Sequence, residues 1–384
     1  MTETKTRRKP AQKQVKKPKI DLEFAVDRAP LLAALTAVMR TVPTGGMMPA
    51  LTGVLLEQKA NKLTIRGTDL ELSISTIVEV DGPLAGKALV PGKLFTDVIR
   101  AAGPKIRVRV SEQVCVVEAE DYHADLLTFD PGDFPAFSKV EGPTRKVEAA
   151  PLMSAVNRSL VAASTDTGRP ILCGVYIDDE GGKMQFVGTD SYRLAVVPTN
   201  LDALDRPIIV PQRSLAAFAR TVPHDVSHVS IRLGANAVAF DFGGTSVVTR
   251  IIDGQYPAYR NLIPHGKQTI EIAVDRKTIV DSVAKLKPLL NGDKPLRLAF
   301  TPKTCTLTVK AQDEGDGEDK IAAEMEGART FSIAVNDQYF VDGINSFGTD
   351  GVTISCNDQL KPMVIRGTGD TTGLYLLMPT RIPT

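Results

Sequence analysis

The chain has 384 residues, with 46 Lys or Arg against 45 Asp or Glu, 43% hydrophobic residues, no Trp and four Cys, enough apolar material for several cores. No apolar run reaches the roughly 18 to 20 residues that span a bilayer, and the N-terminus lacks the apolar segment of a signal peptide, which argues against a membrane protein. Cys115, Cys173, Cys305 and Cys356 are widely spaced with no CxxC pair, which argues against a metal site or disulfide framework and for a reducing cytoplasm.

Residues 1–20 carry eight Lys or Arg (Lys5, Arg7, Arg8, Lys9, Lys13, Lys16, Lys17 and Lys19) against Glu3. With almost no apolar residues this stretch is expected to be a disordered basic tail, either a solubilising arm or an auxiliary nucleic-acid contact. The body that follows holds 38 basic and 44 acidic residues, a net charge of −6.

Leu31, Leu32, Leu35, Val38 and Met39 then fall on one helical face. Three strand-like segments, LTGVLLEQ, KLTIRGT and LSISTIVEV, lead to a second helix that opens after Pro91, stops at Gly103-Pro104, and places Leu94, Phe95, Val98 and Ile99 on its apolar face. KIRVRVS and QVCVVEAE read as further strands, rich in Val and bounded by turn residues.

The same set then returns. Gly67-Thr68-Asp69 recurs as Gly188-Thr189-Asp190, Pro49 maps to Pro170, Val90-Pro91 to Val210-Pro211, and Phe134-Pro135-Ala136-Phe137 to Tyr256-Pro257-Ala258-Tyr259. Ala25-Val26-Asp27-Arg28 returns verbatim as Ala273-Val274-Asp275-Arg276, and FSIAVNDQYFVDGI at Phe331 takes the place of the Val-Pro helix. The expected architecture is therefore α+β, three related units of about 120 residues, each two helices on a mainly antiparallel sheet. The boundaries fall at 21–144, 145–267 and 268–384 after the tail.

Several stretches imitate active sites. GPLAGKA at Gly82 has one residue too few for a phosphate-binding loop, and Ala88 stands where Ser or Thr would reach magnesium. His224 and His228 are four apart, but Pro223 and the strand-like VSIRL deny the helix that would aim both at a metal. GTGDTTG at Gly367 leads into another strand and reads as a hairpin turn. Asp69 and Asp190 follow Gly-Thr at strand ends one repeat apart, where an Asp bonds its own backbone; a three-domain hydrolase using either remains the alternative. No nucleophile, base and oxyanion set is recognisable, and no cofactor is expected.

The informative coincidence lies on the two Val-Pro helices. Lys93 and Arg100 are seven apart, hence nearly on one face, and return as Arg213 and Arg220. Arg28, Arg40, Arg158, Arg276, Lys277, Lys285 and Lys287 add charge on or beside the first helices of the units. Basic faces on an acidic body suit a polyanion held without sequence choice, and low aromatic content favours duplex DNA over single strands.

The three repeats, with GTDSYRLAVVP at Gly188, the DFPAF and QYPAYRNLIP segments and a terminal YLLMPTRIP, resemble the bacterial beta sliding clamps, processivity subunits of replicative DNA polymerase III. The resemblance covers Asp21 to Thr384. It implies a non-catalytic cytoplasmic protein whose two copies join head to tail into a ring around duplex DNA, helices lining the hole. By the same resemblance Leu289 and Leu290 of one copy meet Ala124 and Leu126 of the next. It also implies a peptide groove that docks the DNA polymerase catalytic subunit, the clamp loader, and repair or other polymerases. Leu172, Thr189, Ser191, Tyr192, Arg193 and Leu194 would supply it from the second domain, with Pro257 and Leu262 at that domain's end. The third domain would add Pro362, Leu376, Met378, Pro379, Thr380 and Arg381. Three features depart from the family pattern: Thr380 is more polar than the usual residue, Pro383-Thr384 extend the end, and Gly45-Gly46-Met47 replace a segment that often carries Arg. A clamp paralogue specialised for resistance or for a mobile element fits the same residues.

Overall fold

The computed structural model describes residues 20–111, 113–137, 139–264, 266, 268–290, 294–311, 315–370 and 373–380. Residues 1–19 of the basic tail and Arg381 lie outside them, as do Pro383 and Thr384, whereas Ile20, assigned to the tail from sequence, begins the first strand. The chain divides into two compact units, 1–137 and 138–384.

The first unit opens with β1 (Ile20–Asp27) and α1 (Arg28–Val38), followed by β2 (Gly53–Lys59), β3 (Lys62–Thr68), β4 (Leu72–Glu79), β5 (Asp81–Leu84) and β6 (Gly86–Pro91). It continues through α2 (Gly92–Ala101), β7 (Lys105–Ser111), β8 (Val114–Ala119) and β9 (Tyr122–Leu127). One antiparallel sheet runs β5-β1-β7-β8-β9, and β4-β3-β2-β6 are neighbours in another. Strand residues alternate between core and solvent, as in β8, whose Cys115, Val117 and Ala119 point inward. On α2, Phe95, Val98 and Ile99 are buried, but Leu94 stands 50% exposed, contrary to the sequence expectation. The helix turns a narrower apolar stripe inward than four adjacent hydrophobic positions suggested.

The second unit holds two repeats. The earlier contains β10 (Thr144–Glu148), α3 (Ala149–Leu160), β11 (Gly174–Glu180), β12 (Lys183–Thr189), β13 (Arg193–Asp202), β14 (Ile208–Pro211), α4 (Gln212–Thr221), β15 (His228–Leu233), β16 (Ala237–Phe242) and β17 (Thr245–Arg250). The later opens with β18 (Ile270–Asp275), α5 (Arg276–Leu286), β19 (Leu296–Thr301), β20 (Thr304–Ala311), β21 (Gly315–Ala322) and β22 (Glu324–Glu326). It closes with β23 (Phe331–Val335), α6 (Asp337–Asn345), β24 (Gly351–Cys356), β25 (Met363–Gly367) and β26 (Leu374–Leu377). Thr144 already pairs with Arg232 of β15, one residue before the expected boundary. The repeats merge in a nine-stranded sheet, β14-β11-β12-β13-β26-β25-β24-β18-β22, through the antiparallel pairing of β13 with β26. A four-stranded sheet, β21-β20-β19-β23, completes the later repeat, and α5 packs against both sheets.

One closure recurs in all three repeats. The first residue of each leading helix donates its backbone N–H to a carbonyl before the strand that follows the second helix: Arg28 to Pro104, Ala149 to Ser227 and Arg276 to Asp350, at 2.8, 2.9 and 2.8 Å. In the first and third repeats the arginine guanidinium reinforces it, binding the carbonyls of Ala102 and Thr349 at 2.8 Å each. The repeated AVDR is thus a helix-start clasp that satisfies otherwise orphaned backbone groups.

Candidate functional site

The repeated Gly-Thr-Asp is a strand-end turn built twice to one plan. A Cβ on Gly67 would lie 2.7 Å from Val38, and one on Gly188 only 2.2 Å from the Ser159 carbonyl, so glycine lets the strand pass close under the leading helix. Thr68 and Thr189 donate their hydroxyls to the carbonyls of Leu72 and Arg193. Asp69 accepts the N–H groups of Glu71 and Leu72, and Asp190 those of Tyr192 and Arg193. Leu70 and Ser191 sit at the left-handed φ values of 78° and 80° that this winding requires. Both carboxylates thus do turn-holding work, and they belong to different repeats.

The second turn departs from the first at one position. Arg193 stands where the first repeat has Leu72, and its Nε meets Asp190 Oδ2 at 2.9 Å while Nη1 meets Asp342 Oδ2 on α6 at 2.7 Å. Its guanidinium lies 4.0 Å from the Tyr339 ring centre. Burial works against the charge, but Tyr375, Asp342 and Asp190 outweigh it and raise the arginine's pKa above its ordinary value. Expected in the groove, Arg193 has a side chain only 12% exposed and acts as a strut between two repeats.

Around that strut the structure brings Tyr192, Leu194, Leu376 and Met378 of the expected groove together by strand pairing. Leu194 is paired with Leu376, Arg193 with Leu377, and the Met378 N–H donates to the Tyr192 carbonyl at 2.8 Å. Leu194 and Leu376 share a buried cluster with Val187, Ile209, Tyr256 and Tyr259 on the sheet face opposite the helices. Both, expected in the groove, are core residues, 1% and 3% exposed. Leu172 is nearly buried and Thr189 fully so, whereas Tyr192, Leu262 and Met378 are 60%, 51% and 38% exposed. Ser191 is exposed and accepts from Arg169, Pro257 and Thr380 are exposed, and Pro362 and Pro379 are half-buried. Thr380 is anchored by its backbone N–H to the Ala334 carbonyl. Cys173, next to Leu172, is the partly exposed thiol of the four; Cys115, Cys305 and Cys356 are buried.

The basic residues divide into two groups. Lys93, Arg100, Arg213 and Arg220 are exposed on α2 and α4, Arg100 pairing with Asp97 one turn away. Lys277, Lys285 and Lys287 are also exposed, each paired with a carboxylate: Asp281, Asp319 and Asp337. Arg28 and Arg276 are half-buried in their clasps, and Arg40 is half-buried. Arg158 contradicts its expected outward role. It is 15% exposed, meets Asp370 at 3.1 Å and lies over Phe347 at 4.8 Å, joining α3 to the later repeat. Its guanidinium is held inward by Asp370 and Phe347 and is not presented to solvent as an open charge.

The residues expected at a subunit contact lie beside two sheet edges. Ala124 and Leu126 belong to β9, the last strand of its sheet, and Leu289 packs over Gly317 of β21, the end strand of another. Leu126 and Leu290 face the core at 4% and 6% exposure. Leu127, which sequence reasoning missed, is 76% exposed on the β9 edge. Its signal was present: period-2 alternation places Leu127 opposite in direction to the buried Leu126. Asp342 and Asp370 were missed for want of any local signal, their partners lying 149 and 212 positions away.

Residues 22–138, 146–258 and 260–381 match the N-terminal, central and C-terminal domain models of the DNA polymerase III beta subunit. The beta sliding clamp of Synechocystis sp. is 29% identical over 383 residues, covering 92% of this chain and 97% of that protein. The beta sliding clamp of Streptomyces coelicolor is 26% identical over 378 residues, covering 94% and 100%. Among solved structures, a sliding clamp from Bartonella birtlesii bound to griselimycin superposes with a TM-score of 0.88 at 25% identity over 94% of this chain and 99% of that one. The DNA polymerase III beta subunit of Pseudomonas aeruginosa gives 0.85 at 24% identity, covering 94% and 100%.

Proposed function

The chain belongs to the DNA polymerase III beta subunit family, the bacterial beta sliding clamps, and from that premise we propose that it encircles duplex DNA as a head-to-tail dimer and tethers polymerases to it. Taken as three domains, 21–144, 145–267 and 268–384, each copy contributes half of a six-domain ring. The observation that carries the reading is the pair of exposed basic positions recurring on α2 and α4 of a body with net charge −6. Lys and Arg on phosphates hold a duplex without reading bases.

The edges β9 and β21 support closure, since unpaired strand edges invite pairing with another chain and a head-to-tail interface closes only as a ring. Tyr192, Leu262 and Met378 form the exposed apolar mouth of a groove for extended peptides of the polymerase catalytic subunit, the clamp loader and repair polymerases. The protein works by topology and docking and performs no chemistry of its own. Among the described residues no helix is long and apolar enough to cross a membrane, and the working place is the cytoplasm, on the chromosome.

Retention on nicked circular DNA against its linearised form tests this directly. Encirclement keeps the protein on the circle at high salt and lets it run off the linear end, whereas phosphate contacts alone weaken equally on both. Equal loss would refute the ring.

A further inference from the structure

Two residues along β13 and β26 from the groove lies a cavity of about 370 Å³ on the same sheet face. Val196, Pro198, Ile263 and Leu374 give it apolar walls, and Arg260, Arg366 and Glu180 bring charge, Glu180 being paired with Arg260. Its relation to the groove follows from register. Leu194 pairs with Leu376, which pairs in turn with Val364; one step of alternation further, Val196 pairs with Leu374, beside Arg366. The two rows point to the same side, about 7 Å apart, a span that two residues of extended peptide cover.

The two arginines differ. Arg260 is shared between Asp178, at 2.9 Å, and Glu180, and its guanidinium lies over the Tyr259 ring. Arg366 is half-buried, faces Thr353 across β25 and β24, and makes no ion pair or hydrogen bond among the described residues. The other half-buried or buried arginines of this sheet region, Arg158 and Arg193, each have a carboxylate partner. The cavity's lining carboxylate, Glu180, is engaged by Arg260, and a guanidinium held at its wall without a partner of its own is a site prepared for an incoming anion.

We propose that this cavity is a second, charge-selective subsite of the docking groove, in which Arg366 receives a carboxylate side chain of the bound partner peptide beside that peptide's apolar anchors. The inference rests on the groove reading above and adds a preference to it: partners carrying Asp or Glu about two residues from their apolar anchors dock in preference to those that do not. Continuity of the sheet face selects a peptide as occupant, and the unmatched cation selects its charge.

Fluorescence anisotropy with labelled heptapeptides tests it. The probes carry Leu and Phe anchors with Asp two residues before or after them, each beside an Asn twin, and are titrated into the full chain and into its Arg366→Gln variant, with circular dichroism checking that the variant is folded. One Asp probe should bind wild type about fivefold more tightly than its Asn twin, the upper end for a partly exposed charge pair, and the preference should vanish in Arg366→Gln and fade with salt. Equal binding of the twins in both proteins overturns the subsite and leaves the groove standing. A preference that survives Arg366→Gln assigns the charge to another residue and overturns it too. If no probe binds wild type, the groove reading fails and the subsite with it. If Arg366→Gln instead weakens DNA retention with peptide preference unchanged, Arg366 serves the nucleic acid and the proposal is overturned.

Discussion

Asp190 and Asp69 occupy equivalent turns with unequal burdens. Each holds two backbone N–H groups, but Asp190 also meets the buried Arg193 guanidinium, whose other partner is Asp342. Replacing Asp69 with Ala removes its turn hydrogen bonds and should cost about 1 kcal/mol; Asp190→Ala also leaves a buried cation half-paired and should cost about 3 kcal/mol. Native-state hydrogen exchange at the two turns measures both locally, and equal losses would mean that Arg193 draws nothing from Asp190. The contrast shows how far residue-scale sequence reasoning reached. Gly, Thr and Asp were readable as a turn because the hydrogen bonds that wind it, from Thr68 to Leu72 and from Glu71 and Leu72 to Asp69, span four positions or fewer. Arg193 was readable only as a site residue by resemblance, because Asp342 and Tyr339 are far along the chain and no local pattern announces them. Leu194 and Leu376 were grouped by resemblance, which gives position and not burial; strand pairing joins them and the core buries both.

At the scale of the element, the sheet of the first unit carries a charge network that ties three strands. Glu57 on β2, with its side chain 7% exposed, meets Lys59 at 3.0 Å, Arg66 of β3 at 2.7 Å and Lys87 of β6 at 3.5 Å. Burial alone would push its pKa up, but the bond to Lys59 and the charges of Arg66 and Lys87 outweigh that and hold it below the ordinary 4.5. A carboxylate with a depressed folded-state pKa adds stability above its unfolded value and loses it as pH falls through the folded one. Glu57→Gln should therefore lower the urea midpoint at pH 7, and the gap to wild type should close as pH falls below the ordinary carboxylate range; a gap independent of pH would refute the network's role. The helices predict differently. Reversing Lys93, Arg100, Arg213 and Arg220 to Glu should weaken DNA association and flatten its salt dependence by roughly 0.9 in log–log slope for each phosphate no longer neutralised, leaving the buried faces of α2 and α4 intact. A change in sequence preference with an unchanged slope would rule out these helices as the DNA-facing surface. The helix–sheet alternation and the three-fold repeat were legible because period and spacing are local; the merger of two repeats through β13 and β26 was not, because edge pairing leaves no periodic trace.

For the whole molecule, closure into a ring depends on edges that a single chain leaves open. Leu127 is the exposed apolar residue on β9, so Leu127→Asp should convert dimers to monomers in sedimentation equilibrium without lowering the melting temperature. Charge at Leu290 would be a poor test, since that side chain belongs to the core and its loss would unfold the domain. A dimer unaffected by Leu127→Asp would exclude the β9 edge as the contact. The thiols offer a different kind of access. Cys115, Cys305 and Cys356 are fully buried and their pKa values are pushed up to about 12, chiefly by burial. Cys173 is partly open and sits one residue from Leu172, its own pKa raised mainly by burial and by Asp166. Thiolate chemistry requires both exposure and deprotonation, so maleimide at mildly alkaline pH should attach one dye per folded chain and four once the chain is denatured. The natural sequence thus supplies its own addressable reporter, placed where a fluorophore would brighten or dim as each client arrives, and every docking experiment above can be read in real time without adding or removing a cysteine.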